Sequence, residues 1–550
     1  MKNSEIVHRQ DMLEGERKGS VEAIWDLIER FVVPLRGDFY ETLDSENNVD
    51  WHRREIWDAT AVFGCQSLAA SLQGNLTSPS QKWFDLRFRT NQLNDKDELV
   101  EWLDEVSDRL YNALNEANFD IEIAEAYMDL VAYGTSVLTE EVEDGKLVFA
   151  AIPVREIYFE EDHNKQVYKL YRKLQWTPAQ IITKFGEENV PERVKQWAED
   201  PGGSIQRKDV IFAVYPRKDK KNADISKPLA PDQRPYGYKY ILKDGQETLG
   251  EEGGYYEMPA FISRWRKAAG SKWGHSPATI GMGDILTLNQ IKEATLEAAG
   301  KAIDPATLTE QQNLIGDLDL DRGGLTVVTD INGMKPYESG TKFDVSNLEI
   351  KMLTEAIQKY FFQDQLQLKE SPQMTATEVN VRYELMQRLL GPTFGRLKTD
   401  LLDPLIQRTF NILLREGLLP KTPEGLQEAD LDIEYNGPLP RAQQADTAAA
   451  IERWMQGIGQ IAEIFPEALD IVDTDKAVKE IAQLRGVPAI AMRGEDEIEK
   501  MRSERAQQQQ QAQQMAMMEQ TGKGMEAMGK GGQAMGEVPP EVAEAMQKMS

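Results

Sequence analysis

The chain has 550 residues, 41% of them hydrophobic, with a formal net charge of −29 and one cysteine. That length supports several packed layers and more than one domain, and the lone Cys65 excludes internal disulfides and Cys-rich zinc sites. The acidity excludes the clustered Lys and Arg by which tight nucleic-acid binders displace counterions, leaving either a solvated acidic surface or one past which DNA moves without adhering. No run of eighteen apolar residues occurs, so no membrane helix is expected. The first residues, Met1 to Glu5, lead into charged positions without an apolar core, so cytosolic synthesis without a secretory signal is expected.

In chain order, Ser20 reads as a helix N-cap. Ala23, Ile24, Leu27, Ile28 and Phe31 follow at helical spacing, and Pro34 is the stop. A second helix carries Ile56, Ala59, Val62, Phe63, Leu68 and Leu72 as far as Gly74. Over 95–133, Leu99, Leu103, Val106, Leu110 and Leu114 recur at spacings of four, three, four and four, a third helical region. The pattern then becomes β-branched and aromatic around Asp144-Gly145, a two-residue hairpin signal. Thr177-Pro178 opens a short helix, with Thr as cap and Pro in the first turn. Strands are expected at 210–215 and 238–242, with a second Asp-Gly turn at 244–245.

After Ser276-Pro277 a helix carries Ile285, Leu288, Ile291, Thr295, Ala298 and Ala302 on one face. Residues 304–345 read as irregular and acidic. The next helix, from near Ser346, carries Ile350, Leu353, Ile357, Phe361 and Leu366, with its end expected at Glu370-Ser371-Pro372. A long amphipathic helix follows through Val379, Tyr383, Met386, Leu390, Phe394, Leu397, Leu401 and Leu405, kinked or broken at Pro392 and Pro404. A strand at 431–435 and about three helices complete the ordered part. Composition predicts helix over 506–518 and disorder around 522–536. The fold class is therefore α+β, mainly helical, with a β insertion at about 136–265.

Motifs for catalysis are weak. Gly245 and Gly250 have Walker-A spacing, but Glu251 replaces the phosphate-binding Lys. Gly524 to Gly529-Lys530 ends in Gly531 without a magnesium hydroxyl, and Gly281-Met282-Gly283 lacks the third glycine of a dinucleotide loop. Asp317, Asp319 and Asp321 open like a calcium loop, yet Arg322 and Val328 stand where Gly and Glu are needed. His8, His52, His163 and His275 are scattered, Cys65 reads as a small core residue, and Glu160-Glu161-Asp162 reads as a solvated turn. No metal or cofactor is expected. A cytosolic nucleic-acid-processing enzyme and a helical protein-binding adaptor are the rival function classes.

Three segments carry a resemblance. These are LAASLQGNLTSPSQKWF at 68–84, GHSPATIGMGDILTLNQIKEATLEAAGKAIDPATL at 274–308, and MTATEVNVRYELMQRLLGPTFGRLKTDLLDPLIQRTFNILLREGLLP at 374–420. With PLPRAQQAD opening 438–454, they resemble the head-to-tail connecting (portal) proteins of T7-like podoviruses over most of residues 20–490. The resemblance implies a portal fold: a ring of about twelve identical subunits around a channel for double-stranded DNA, at one capsid vertex of the virion. Residues 1–275 would form the wing, 276–303 and 346–368 the two stem helices, and 304–345 the clip. A tunnel loop would lie at 369–374, a long wing helix and strand at 375–437 and the crown at 438–502, with a barrel helix in the 503–550 tail. Lys369, Glu370, Ser371, Pro372 and Gln373 would project at DNA. Lys292, Lys351 and Lys359 would face the channel, with intersubunit ion pairs as the alternative for each. Asp317, Asp319, Asp321 and Arg322 would contact clip partners. The implied partners are the terminase large subunit, the major capsid and scaffold proteins, tail adaptors and internal core or ejection proteins, with no membrane.

Overall fold

The computed structural model describes residues 1–34, 56–89, 93, 97–143, 145–220, 229–303, 307–308, 312, 314–315, 327–330, 332, 335–336, 343–363, 391–421, 423, 431–435, 438–462, 464–485, 487, 498 and 500–511. The chain opens with helices α1 (Asn3–Lys18) and α2 (Glu22–Phe31), and α3 (Thr60–Leu76), α4 (Asp97–Glu116) and α5 (Phe119–Tyr133) come next among the described helices. Helix α1 was not legible: it is polar and has only a few apolar contacts, Ile6, Val7 and Leu13, which cover the outer face of a sheet. Its anchor is Arg17, buried, whose guanidinium donates to Glu22, to the carbonyls of Val154, Arg155 and Ile157, and to the Tyr158 hydroxyl. Ser20 does not cap α2. Its hydroxyl donates to the Glu16 and Arg17 carbonyls and so closes the end of α1. Residues 97–133 form two helices, and Leu99, Leu103, Val106, Leu110 and Leu114 are all buried as their spacing predicts.

The β insertion forms two sheets. Strands β2 (Thr135–Glu143), β3 (Lys146–Ala151) and β9 (Ala260–Arg264) order as β3-β2-β9, and the Glu143↔Lys146 register confirms the two-residue turn. Strands β4 (Ile157–Glu161), β5 (Val167–Trp176), β6 (Lys208–Pro216), β7 (Tyr236–Leu242) and β8 (Glu247–Tyr255) form a five-stranded antiparallel meander. The outer strand β3 is sealed against further pairing by α5 and its cap. Asn118 both accepts from the Phe149 N–H and donates to its carbonyl at 2.8 Å, and Glu122 accepts from the Ala151 N–H at 2.7 Å. Between β5 and β6, Thr177 and Gln180 form the reciprocal capping box of α6 (Pro178–Phe185). The Walker-like glycines belong to a hairpin: Gly245 turns at φ +82° and Gly250 sits within β8 beneath Phe185. No strand-loop-helix phosphate cradle exists there.

The expectation of a solvated acidic turn at Glu160-Glu161-Asp162 is corrected. Glu160 is buried and bonded to Arg9, Tyr168, Lys169 and Tyr171, while Glu161 pairs with Arg264 and Lys267. Only Asp162 makes the turn, accepting from the Asn164 and Gln166 N–H groups.

Two long helices follow, α8 (Pro277–Ile303) and α9 (Phe343–Tyr360), after the short α7 (Glu192–Glu199) between β5 and β6. The segment between the two long helices is not wholly irregular. Strand β10 (Thr307–Leu308) pairs antiparallel with β11 (Lys335–Pro336), and Leu314 bridges Val328. Helix α9 ends at Tyr360, about ten residues before the predicted stop, in a turn with Phe362 at φ +56°. Of the long amphipathic helix, the part from 391 is described. Helix over 391–397 passes through a π-helical turn (Lys398–Leu402) into α10 (Asp403–Arg415). Pro404 has no N–H for the Asp400 carbonyl, and the Asp403 N–H reaches back five residues to Lys398 instead. Strand β12 (Leu431–Tyr435) pairs antiparallel with β1 (Phe84–Phe88), joining distant parts of the chain. Helices α11 (Pro438–Ala462) and α12 (Thr474–Leu484) come last of the named elements, and residues 500–511 are helical. One continuous core runs from Val21 to Tyr435. Among the described residues, none beyond Ala448 is buried.

Helix α10 and the π turn are held to the sheets by buried charge. Arg264 pairs with Asp400 at 3.2 Å. Arg408 donates to the Glu140 carbonyl and to Glu257, Arg415 donates to both Glu257 oxygens, and the Thr409 hydroxyl donates to Glu140 at 2.8 Å. Burial pushes the Glu140 carboxyl up to about 7, opposed by Arg408 and Thr409. Against the burial that would raise it, hydrogen bonds from Gln10 and Lys18 and the charge of Lys173 hold Glu14 down at about 2.

The base of α8 depends on two glycines. Gly134 ends α5 at φ +79°, and a Cβ there would lie 2.7 Å from the His275 carbonyl carbon and the Ser276 nitrogen. A Cβ on Gly274 would collide with the Gly134 carbonyl. Gly134→Ala should therefore lower unfolding free energy by about 3 kcal/mol or more, combining strained φ and backbone overlap. Gly283→Ala, with nothing within 4 Å of its Cβ, should instead add up to about 1 kcal/mol from helix propensity; urea unfolding of both variants checks the pair.

A second prediction concerns pH. Glu140 holds its proton to about pH 7 when folded against an ordinary 4.5, so in that window the folded state binds more protons and stability falls as pH rises, by up to about 3 kcal/mol. Glu14 acts the other way, but its contribution is lost only as pH falls below about 4.5. Melting curves across that range should show the decline in the native chain and a flatter profile in Glu140→Gln; equal slopes would contradict the assignment.

Candidate functional site

The helix pair α8 and α9 is where the sequence-based expectations converge. Its base is built from backbone outward. The Ser276 hydroxyl accepts from the Thr279 N–H as N-cap of α8 and donates to the Ala132 carbonyl at 2.6 Å. Gly274 donates its N–H to the Thr135 hydroxyl at 2.9 Å, and the Trp265 N–H donates to the Gly134 carbonyl. The start of α8 is thus fixed to the junction of α5 and β2. From there Ala278, Met282, Ile285 and Leu288 are buried against α2, α3 and α5.

The two helices run antiparallel, since the C-terminal Tyr360 of α9 meets the N-terminal turns of α8. A Cβ on Gly281 would lie 2.7 Å from the Tyr360 ring, and the Tyr360 hydroxyl donates to Asp284 at 2.9 Å. That hydrogen bond and the carboxylate charge push the Tyr360 phenol above its usual range. Phe361 is fully buried against Gly64 of α3, where any Cβ would overlap its ring. Burying such a ring is worth roughly 1.5–3 kcal/mol, which offsets the ~1–3 kcal/mol typical of a strained left-handed residue such as Phe362. No sequence signal announced these sockets beyond single glycines inside helices.

Away from this base the pair loses its cover. At ~1.5 Å per residue, the 27 residues of α8 span about 40 Å, and no residue after Asn289 in it is buried. Leu296 and Ile303 on α8 and Leu348 and Met352 on α9 are exposed, Ile303 at 85%. Isolated exposed apolar residues are ordinary, but four on one projecting helix pair mark a surface that expects a partner.

Of the predicted site residues, Lys292 is half-buried and pairs with Asp58 of the same chain at 3.5 Å. Beside it, Asn289 accepts from the Trp57 and Asp58 N–H groups. Lys351 and Lys359 lie on α9, Lys351 exposed and Lys359 in its last turn. Lys369, Glu370, Ser371, Pro372 and Gln373 lie outside the described residues, as do Asp317, Asp319, Asp321 and Arg322 and the glycines at 524–531. The charge is not concentrated on the helix pair: α8 carries three acids and two lysines, and α9 likewise three and two. Residues 97–133 carry eleven acids and one base, Arg109, with Asp104 raised by burial and by Asp85. Cys65 is buried beside Met128 with its thiol pushed up by desolvation, and no metal-capable cluster of acids, His and Cys occurs among the described residues.

The family described as bacteriophage head to tail connecting protein matches residues 3–492. A "Probable portal protein" of Bordetella phage BPP-1 is 29% identical over 529 residues, covering 94% of this chain and 93% of that protein. The "Portal protein" of Salmonella phage epsilon15 is 26% identical over 522 residues, covering 93% and 92% respectively. With the match spanning nearly its whole length, this chain belongs to the bacteriophage head to tail connecting protein family.

Proposed function

We propose that this chain is the portal of a tailed bacteriophage, a ring of about twelve copies at one capsid vertex through which double-stranded DNA enters and leaves the head. The observation that carries the assembly is the helix pair, anchored at its base and bare beyond it, whose exposed apolar residues call for neighbouring copies. On this reading α8 and α9 are the stem, with the residues between them forming the clip. The sheets and surrounding helices form the wing, α11 and α12 belong to the crown, and Lys369–Gln373 lie in a tunnel loop.

A conduit must hold DNA loosely, because neutralising many phosphates at once would stall it. Near-balanced stem helices on an otherwise acidic protein meet that requirement. A few lysines such as Lys351 and Lys359 make transient phosphate contacts while the bulk charge repels. Lys292, engaged by Asp58, is the weakest of the three candidates. The work of packaging would come from a terminase docked on the clip, with capsid, scaffold, tail-adaptor and internal core or ejection proteins as the other contacts in the virion. The nucleic-acid-processing enzyme is disfavoured because the one described Walker-like pair sits in a β-hairpin.

Micrographs of the purified chain should show annular particles with a central hole, and deleting Lys369–Gln373 should keep the annuli while reducing genome packaging or retention. Monomers or dimers alone would overturn the portal reading; annuli lost on deletion would make that segment structural.

A further inference from the structure

The two sheets of the β insertion do not close fully on each other. The face of the five-stranded sheet that meets the core has two covers, the β2-β3 hairpin and α6, and a cleft of about 190 Å³ lies between them. Arg172, Phe212 and Tyr240 stand in register across β5, β6 and β7 to make its floor, and Trp176, further along β5, shares their face. The Trp176 and Tyr240 rings are stacked, 5.9 Å between centroids. Glu141 and Glu143, alternate residues of β2, line the hairpin wall, and Lys184 lines the α6 wall. An apolar cavity of about 150 Å³ takes up benzene, so this space admits a small organic molecule.

The charges around the cleft do not cancel within the chain. Arg172 is engaged, its Nε donating to Glu156 at 2.8 Å. Glu141 accepts from the Tyr255 hydroxyl at 3.1 Å and Glu143 is exposed, but neither carboxylate forms an ion pair among the described residues. Lys146, opposite Glu143 across the hairpin, is itself exposed and makes no ion pair with it. Lys184 rests instead on the rings, its Nζ 5.7 Å from the Trp176 centroid and 5.4 Å from that of Tyr240. The acids are felt on the floor: burial first, and the Glu141 charge next, push the Tyr238 and Tyr240 phenols above their usual range. A ring face is the negative end of the aromatic quadrupole, so stacked rings beside two unpaired carboxylates favour a cation over a neutral body.

We propose that this cleft binds an organic cation, an alkylguanidinium or alkylammonium whose stem lies on Trp176 and Tyr240 and whose head meets Glu141 and Glu143. Lys184 marks the position, because it is the chain's own ammonium on those rings, and the ligand displaces it toward solvent. The same chemistry reaches the cleft either as a free amine or as an arginine or lysine side chain of another protein. The cleft lies within the β insertion of a single chain, so it stands or falls separately from the portal reading.

Isothermal titration calorimetry of butylguanidinium into the full-length chain tests the site. One cation should bind per chain, and the double variant Glu141→Gln with Glu143→Gln should bind it about fivefold or more weakly. Lys184 is exposed, so Lys184→Gln removes the internal competitor without disturbing the core; it should bind about threefold more tightly than native. Butylurea, of the same shape without the charge, should bind about tenfold or more weakly than butylguanidinium. A terminally blocked Gly-Arg-Gly peptide separates the two sources: tighter binding than butylguanidinium assigns the cleft to a partner's side chain, weaker binding to a free amine. Binding of neither probe, equal binding of butylurea, or a Lys184→Gln variant that binds no better than native overturns the site.

Discussion

The structure depends on a place where backbone touches backbone. Gly134 ends α5 in a left-handed turn, and Gly274 passes so close to it that neither can carry a side chain. The contact brings Ser276 within hydrogen-bond reach of Ala132 and sets the direction in which α8 leaves the core. Every other feature of the projecting pair is downstream of that placement: the burial of Met282, Ile285 and Leu288, the seating of Tyr360 on Gly281, and the exposure of the outer half. A helix about 40 Å long can be aimed only by its first turns, because the rest has no core to lean on.

The β insertion and α10 brace that base from the other side. Arg264 links the sheet strands to the π turn, and across the next turns of helix Arg408 engages Glu140 and Glu257 while Arg415 engages Glu257. Removing one partner from such a set strands a buried charge, so these clusters fix geometry more than they add net stability. Their cost is visible at Glu140, whose carboxyl prefers to stay protonated toward neutral pH. Proline at 404 and the π turn before it belong to the same arrangement, since the local widening positions Asp400 for Arg264.

Much of this was legible in the residues where local chemistry alone decides. Thr177-Pro178 with Gln180 makes a capping box, Asp144-Gly145 a tight hairpin, and the leucines from Leu99 to Leu114 a buried helix face. The helix pair was legible too, because both helices carry long apolar stripes and the first opens at Ser276-Pro277. Features set by distant partners were not legible. Helix α1 is too polar to betray itself without Arg17's partners on β4 and its entry loop, and Glu160 reads as solvated until Arg9 and Tyr171 close over it. Phe63 lies on the helix that periodicity predicts but points outward, 63% exposed. The early end of α9 escapes any local reading, since Gly64 and Gly281, which supply its sockets, lie far from it along the chain.

On the proposed portal reading, the bare helix pair becomes an inner wall when copies assemble. A density map of the assembled particle, at a resolution that traces helices, tests it most directly. In that map α8 and α9 of every copy should surround the central opening, with Leu296, Ile303, Leu348 and Met352 among the positions covered by adjacent copies. A particle that carries this pair on its outer rim, with those side chains still bare, would contradict it.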